Sequence, residues 1–315
     1  MSSEHVYDVI IVGGGPAGLT AGLYAARGGM KALLLEGASV PPEASLTEKI
    51  ENYPGFPEGV GGAEFVERLK TQASNFGLEI DFEDAIGLEA VDIKGVSGWS
   101  VACKNKKYDT KTVIIASGSI PKTLGTPGED IFKGKGVSYC ATCDGPLFKG
   151  KEVVVVGGGD AAIEEALFLA KFAAKITIVH RRDALRAAKV LQERAFAERK
   201  IEFAWESVVT AIQGDKTVKS AKIKNIKTNA EKNIPCDGVF VYVGFNPNTG
   251  FLKGTLKLNE DGYVIADESM NTGAPGVFAC GDCRQKLLRQ VITACADGAI
   301  AAVSARLYLE ALKAS

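Results

Sequence analysis

Two stretches of this chain share one pattern, and together they leave few folds open to it. Val9-Ile10-Ile11-Val12 runs into Gly13-Gly14-Gly15-Pro16-Ala17-Gly18, and Val153-Val154-Val155-Val156 runs into Gly157-Gly158-Gly159-Asp160-Ala161-Ala162. Each apolar run is too short for a helix, and each glycine turn is followed by apolar residues at helical spacing, over 19–29 and 161–173. A second apolar run then closes each unit, Ala32 to Leu35 and 175–180. That is strand, turn, helix, strand, twice. The spacing predicts an α/β fold with two doubly wound, Rossmann-like nucleotide-binding domains. The glycines let backbone approach a pyrophosphate, and the helix N-terminus offers it oriented N–H groups.

The segments between the copies say how they are joined. Residues 86–103 alternate around Gly95 and Gly98 and read as a hairpin or meander. Val113 to Gly118 is a further buried strand with a small-residue end. Ile120-Pro121 and Gly244-Phe245 look like an outward and a return crossing, so the second copy is inserted in the first. The expected domains are 1–119 and 245–315 for the split copy and 120–244 for the inserted one. A C-terminal helix is expected over 297–313, with Ile300, Val303, Leu307, Leu309 and Leu312 as its apolar residues.

The two copies end their second strands differently. Glu36, 23 positions past Gly13, can accept hydrogen bonds from ribose hydroxyls. The inserted copy has His180-Arg181-Arg182 and then Arg186, with no acid at the ribose position. Guanidinium groups there suit a 2′-phosphate, which favours NADPH over NADH. A solvated basic helix start is the bland alternative, and His180 could equally be a packing residue at a strand end.

Cys140-Ala141-Thr142-Cys143-Asp144-Gly145 stands just ahead of the second glycine turn. In Cys-x-x-Cys a neighbour and local dipoles lower one thiol pKa and support exchange, and Asp144 can move a proton. A zinc site would need two more ligands, and Cys280-Gly281-Asp282-Cys283 offers a pair. Nearly half the chain separates the two pairs, so the bland reading of Cys280 and Cys283 is small core residues. No metal is expected.

The 315 residues are enough for two domains with sizeable cores. A formal net charge of −1 gives no global attraction to nucleic acid or anionic membrane. The start, Met1 to His5, is polar, without the basic and apolar segments of a secretion signal. No window approaches 18 uninterrupted apolar residues, so no membrane span is expected. Seven cysteines, an odd number, do not read as a secreted disulfide framework, which leaves the cytoplasm as the expected compartment.

Taken together the motifs resemble bacterial low-molecular-weight thioredoxin reductases over essentially the whole chain. The matching residues are Gly13 to Gly18, Glu51-Asn52-Tyr53-Pro54-Gly55, the dithiol with Asp144-Gly145, Gly157 to Ala162, and His180-Arg181-Arg182-Asp183 with Arg186. Gly276 to Asp282 and Arg289-Gln290-Val291-Ile292 complete the set. The resemblance implies FAD on the split domain, NADPH on the inserted one, a homodimer, and the disulfide of thioredoxin as substrate. It implies flavin contacts at Asn52, Gly118, Asp282, Arg289, Gln290 and Val291, besides Gly13, Gly15, Pro16, Ala17, Gly18 and Glu36. It places NADPH at Gly157, Gly159, Asp160, Ala161, His180, Arg181, Arg182 and Arg186. Cys143 looks like the thiol facing the flavin, Cys140 the one that attacks the partner, and Asp144 the acid. The chain departs from the family at Pro41-Pro42-Glu43, which stand where Gly-Gly-Gln is usual in a loop against the flavin. It departs also at Phe245, where some relatives carry His, and at Cys280 and Cys283, often Ala and Val.

The alternatives are a related flavoprotein serving another thioredoxin-like or peroxidase-linked partner, and a redox-sensing or zinc-stabilised binding protein on the same scaffold. An electron supply from ferredoxin is disfavoured by the intact Arg181, Arg182 and Arg186. With nicotinamide and dithiol both on the inserted domain and flavin on the other, the inserted domain is expected to swivel about the two crossings.

Overall fold

A computed structural model describes residues 6–39, 41–47, 49–93 and 95–314, so the N-terminal Met1 to His5 lie outside the described residues. The chain divides into two compact units, Met1–Ile120 with Asn246–Ser315, and Pro121–Phe245.

The first unit opens with β1 (Tyr7–Val12), α1 (Pro16–Arg27), β2 (Ala32–Leu35), α2 (Gly62–Ser74) and β3 (Glu79–Asp81), followed by β4 (Ala85–Ile93), β5 (Val96–Cys103) and β6 (Lys107–Ile115). β7 (Ser119–Pro121) leads out. The second unit holds β8 (Val137–Ser138), the short α3 (Ala141–Asp144), β9 (Glu152–Gly157), α4 (Asp160–Leu169), β10 (Lys175–Val179), α5 (Lys189–Ala197) and β11 (Ile201–Ala204). It continues through β12 (Ser207–Gly214), β13 (Val218–Asn225), β14 (Glu231–Pro235) and β15 (Gly238–Tyr242). The chain returns by β16 (Phe245–Pro247) to β17 (Val277–Ala279) and α6 (Val291–Ala314).

In the first unit the sheet order is β3-β2-β1-β6-β5-β4, with β17 also on β6. β1, β2, β3, β6 and β17 pair in parallel, whereas β4, β5 and β6 form an antiparallel meander. The period of two in the strands sorts their apolar residues to the two faces. Val9, Ile11, Leu34 and Ile114 pack with α1 and α6 on one face; Ile10, Val12, Leu35 and Ile115 pack with Trp99, Leu252 and Val264 on the other. Burial on both faces is what makes these strands read as unbroken apolar runs. The second unit repeats the plan in a parallel sheet ordered β11-β10-β9-β15-β8, flanked by the antiparallel β12-β13-β14.

The C-terminal helix is longer than the expected 297–313. It begins at Val291, where the Thr293 hydroxyl accepts the Gln290 N–H at 3.2 Å. Its buried residues are mostly small, Ala294, Cys295, Gly298, Ala301, Ala302 and Ala305, with Asp297 and Leu309 besides. Ile300, Val303 and Leu307 are instead exposed, at 42%, 38% and 54%. By length and composition alone this helix would cross a membrane, but its small-residue face belongs to the core of the first unit.

Candidate functional site

Each glycine turn sits where a parallel strand hands over to a helix. At Gly13 φ is +119°, and a Cβ there would lie 2.2 Å from the Ala116 carbonyl oxygen, so only glycine fits. Gly15 caps α1, has open space on its Cβ side, and is followed by Pro16, whose missing N–H is lost at a position with no helical partner. The Glu36 carboxylate ends β2 beneath this turn and pairs with Lys70 from α2 at 2.6 Å, an interaction absent from the sequence reading. Asn52 Nδ2 donates to Gln290 Oε1 at 3.0 Å, joining two expected flavin residues 238 positions apart. Val291 opens α6 directly behind them, and Gly118 holds φ +64° just after β6.

Asp282 lies in the turn before α6. Its Oδ1 is buried without a hydrogen-bond partner among the described residues, as is Arg289 Nε, while the Arg289 guanidinium covers the Tyr263 ring at 4.1 Å. Burial raises the Asp282 carboxyl above its ordinary range, against the pull of Lys286 and Arg289. Buried polar atoms left open beside a glycine turn are what a polar cofactor would satisfy, so the residues present fit a flavin nucleotide. The turn is clamped from α6: Asp297 accepts from Gly281 N–H at 3.1 Å, Arg284 Nε at 2.9 Å and Lys286 Nζ at 2.7 Å. Burial alone would raise the Asp297 carboxyl, but those two cations hold it below the usual carboxylate range. Glu43, from the Pro41-Pro42-Glu43 departure, is an exposed residue whose carboxyl is nonetheless pushed up to about 7, first by desolvation and then by the Asp282 charge.

Cys280 and Cys283 go to opposite faces of the sheet. Cys280 packs with Ala17 and Phe278, Cys283 with Val113 and Ala279. The Cys283 thiol donates to the Cys280 carbonyl at 3.2 Å, and burial pushes it up to about 11. These are core thiols.

In the second unit Gly157 has φ +148°, and a Cβ would meet the Tyr242 carbonyl oxygen at 2.3 Å. Gly159 caps α4, and Asp160 beside it accepts the Ala188 N–H at 2.7 Å, tying the turn to the segment after β10. Ala161 follows on the first turn of α4. Arg181, Arg182 and Arg186 are exposed. His180 is not with them: it is 4% exposed, packed under Gly158 and edge-on to Trp205. Its pKa is lowered, chiefly by burial and further by the three arginines, which favours the neutral ring. Its Nε2 has no partner among the described residues.

Cys140 and Cys143 form a disulfide across α3, with Cα atoms 5.4 Å apart. Cys140 is the N-cap, and its sulfur accepts the Cys143 N–H at 3.1 Å. Ser138 Oγ accepts the Cys140 N–H at 3.1 Å and donates to the Cys140 carbonyl at 3.2 Å. Asp144 lines a cavity of about 420 Å³ with Lys135, Lys151, Lys219 and the exposed Leu147. A dithiol backed by a helix N-terminus, with an acid at hand, can run thiol–disulfide exchange.

Comparison with known proteins agrees with this chemistry. The sequence pattern of the pyridine nucleotide-disulphide oxidoreductase family matches residues 7–298. The thioredoxin reductase of Peptoclostridium acidaminophilum is 47% identical over 315 residues, covering 98% of each chain. That of Bacillus subtilis strain 168 is 44% identical, covering 99% of this chain and 98% of the other. The crystal structure of Lactococcus lactis thioredoxin reductase superposes with a TM-score of 0.92 at 43% identity, over 96% of this chain and 99% of that one. With fold, glycine turns and dithiol all in place, the chain belongs to the pyridine nucleotide-disulphide oxidoreductase family, among its low-molecular-weight thioredoxin reductases.

Proposed function

We propose that the chain is an NADPH-dependent, FAD-containing reductase of the thioredoxin disulfide, working as a cytoplasmic homodimer. The observation that carries this reading is the Cys140–Cys143 disulfide, built on the same unit as a glycine turn with Arg186 beside it and the exposed Arg181 and Arg182 after β10. Bound FAD supplies two-electron transfer between a nicotinamide and that disulfide. Gly13, Gly15, Pro16, Ala17 and Gly18 hold its pyrophosphate, and Glu36, oriented by Lys70, takes a ribose. Asn52, Gly118, Asp282, Arg289, Gln290 and Val291 hold the rest. Gly157, Gly159, Asp160 and Ala161 hold the NADPH pyrophosphate, and Arg181, Arg182 and Arg186 its 2′-phosphate, with His180 as the floor of the turn.

Once the dithiol is reduced, the Cys140 thiolate attacks one sulfur of the partner disulfide, and the other partner sulfur leaves as a thiolate. Cys143 then attacks the Cys140 sulfur, which re-forms the Cys140–Cys143 bond and frees the second partner thiol. Asp144 supplies and accepts the protons. The Cys143 N–H aimed at Cys140 Sγ supports Cys140 as the thiolate. The exposed Ile300, Val303 and Leu307 stripe on α6 is an apolar surface that a second copy would cover in an isologous contact. Five unpaired cysteines among the described residues suit a reducing compartment.

Cys140→Ser and Cys143→Ser should each abolish thioredoxin reduction, while flavin reduction by NADPH survives. Stopped-flow spectroscopy separates the two half-reactions, and substantial thioredoxin turnover by Cys140→Ser would overturn the assignment.

A further inference from the structure

α3 is a single helical turn, and its first N–H groups have no helical partners of their own. One of them is satisfied from outside. The Ala141 N–H donates to the Tyr242 hydroxyl at 2.8 Å, and that hydroxyl donates to Glu165 Oε2 at 3.4 Å. The hydroxyl thus accepts from Ala141 and donates to the carboxylate. Tyr242 ends β15, and its backbone lies opposite Gly157 in the β15–β9 register. Glu165 comes from α4, the helix that Gly159 caps. The same strand also holds the other side of the dithiol, because Phe240 pairs with Ser138, whose hydroxyl brackets the Cys140 backbone. The dithiol turn is thus fastened at Cys140 by Ser138 and at Ala141 by Tyr242. Between those two points lies the geometry that matters, the Cys143 N–H directed at Cys140 Sγ.

We propose that Tyr242, backed by Glu165, is a positioning residue for the dithiol, holding the Ala141 N–H so that the Cys143 N–H stays aimed at the Cys140 sulfur. Both side chains are argued to act through the dithiol turn. Asp144 of α3 adjoins the dithiol, the Tyr242 hydroxyl from β15 reaches the turn at Ala141, and Glu165 from α4 reaches that hydroxyl. Removing the hydroxyl leaves the Ala141 N–H unpaired, so the turn loosens and the helical N–H is shared less well with sulfur. The thiolate then loses part of its stabilisation. The proposal rests on Cys140 being the exchanging thiol.

The test uses the FAD-loaded protein, reduced with dithiothreitol under exclusion of air and alkylated with iodoacetamide across a pH series. Mass spectrometry follows the Cys140 peptide, since the thiolate is the species that reacts. In Tyr242→Phe the alkylation midpoint should move up by about half a pH unit or more, given the strength of one hydrogen bond. The kcat with thioredoxin should fall severalfold, with the KM for NADPH unchanged. Glu165→Ala should move the midpoint in the same direction. Glu165→Gln, which keeps an acceptor oxygen, should stay with the parent protein. A midpoint in Tyr242→Phe that is unmoved or lower overturns the positioning role, and a parental midpoint in Glu165→Ala overturns the part assigned to Glu165. If Tyr242→Phe does not fold, the two Glu165 variants decide alone. Turnover by Cys140→Ser would instead defeat the functional reading, whatever the alkylation profiles show.

Discussion

At the residue scale, four neighbours in sequence part company in space. His180 lies under Gly158 at the end of the buried run 176–180, while Arg181, Arg182 and Arg186 beyond it are exposed. Burial lowers the His180 pKa, which disfavours a charge there, so on the proposed reading a 2′-phosphate would be held by the guanidiniums. Replacing Arg181 and Arg182 by Gln should raise the KM for NADPH at least about tenfold, from two charge-assisted hydrogen bonds, and leave the KM for NADH nearly unchanged. Steady-state kinetics with both cofactors checks it, and a parent enzyme indifferent between them contradicts it. Glu43 makes a different forecast. Its folded pKa of about 7 stands above the ordinary glutamate value of 4.5, so the folded state holds the proton longer. Its contribution to stability is complete below about pH 4.5 and is lost as pH rises through 7. Glu43→Gln should therefore stabilise the flavin-free protein at pH 8, by on the order of 1 kcal/mol after discounting for solvent screening, and do little at pH 4.5. Thermal unfolding at the two pH values measures this, and equal effects at both would show that the carboxyl titrates normally.

At the element scale, the turn carrying Asp282 owes its shape to α6. Asp297 gathers Gly281 N–H, Arg284 and Lys286 on one buried carboxylate. Removing that carboxylate strands two cations, so Asp297→Ala should cost about 3–5 kcal/mol in stability, and Asp297→Asn less. Because Asp282 sits inside the clamped turn, FAD affinity should fall as well. Denaturant melts and flavin fluorescence titrations read the two effects, and an Asp297→Ala protein with parental stability and FAD affinity would show the clamp to be incidental. An apolar stripe normally marks the buried side of a helix, but toward α1 this helix buries mostly small residues, Ala294, Gly298, Ala301, Ala302 and Ala305 among them. The larger Ile300, Val303 and Leu307 are left outside.

On the scale of the whole molecule, two compact units share one chain that crosses between them at residues 120–121 and 245–246. On the proposed function, nicotinamide and dithiol would both sit on the inserted unit and flavin on the other, so each would have to come to the flavin in turn and Cys140 would also have to meet a protein. An engineered disulfide locking the units together should preserve at most one half-reaction and stop steady-state turnover; full turnover in a verified locked sample would mean that one arrangement suffices. The order of strand, glycine turn and helix, the dithiol and the arginines were legible in the sequence because each is local: a few consecutive residues carry the whole signal. The inserted topology was legible too, since the second βαβ pattern lies between the halves of the first. Pairings over long separations were not legible. Lys70 on Glu36, Asp297 on the Asp282 turn, and Tyr242 on the Ala141 N–H each join residues whose types are ordinary at their own positions. Periodicity tells which side of an element is apolar, but which neighbour arrives, and how closely, is settled only when the sheets and helices pack. The sequence therefore determined the fold class and the chemistry on offer, and tertiary packing alone decided which side chains hold that chemistry in place.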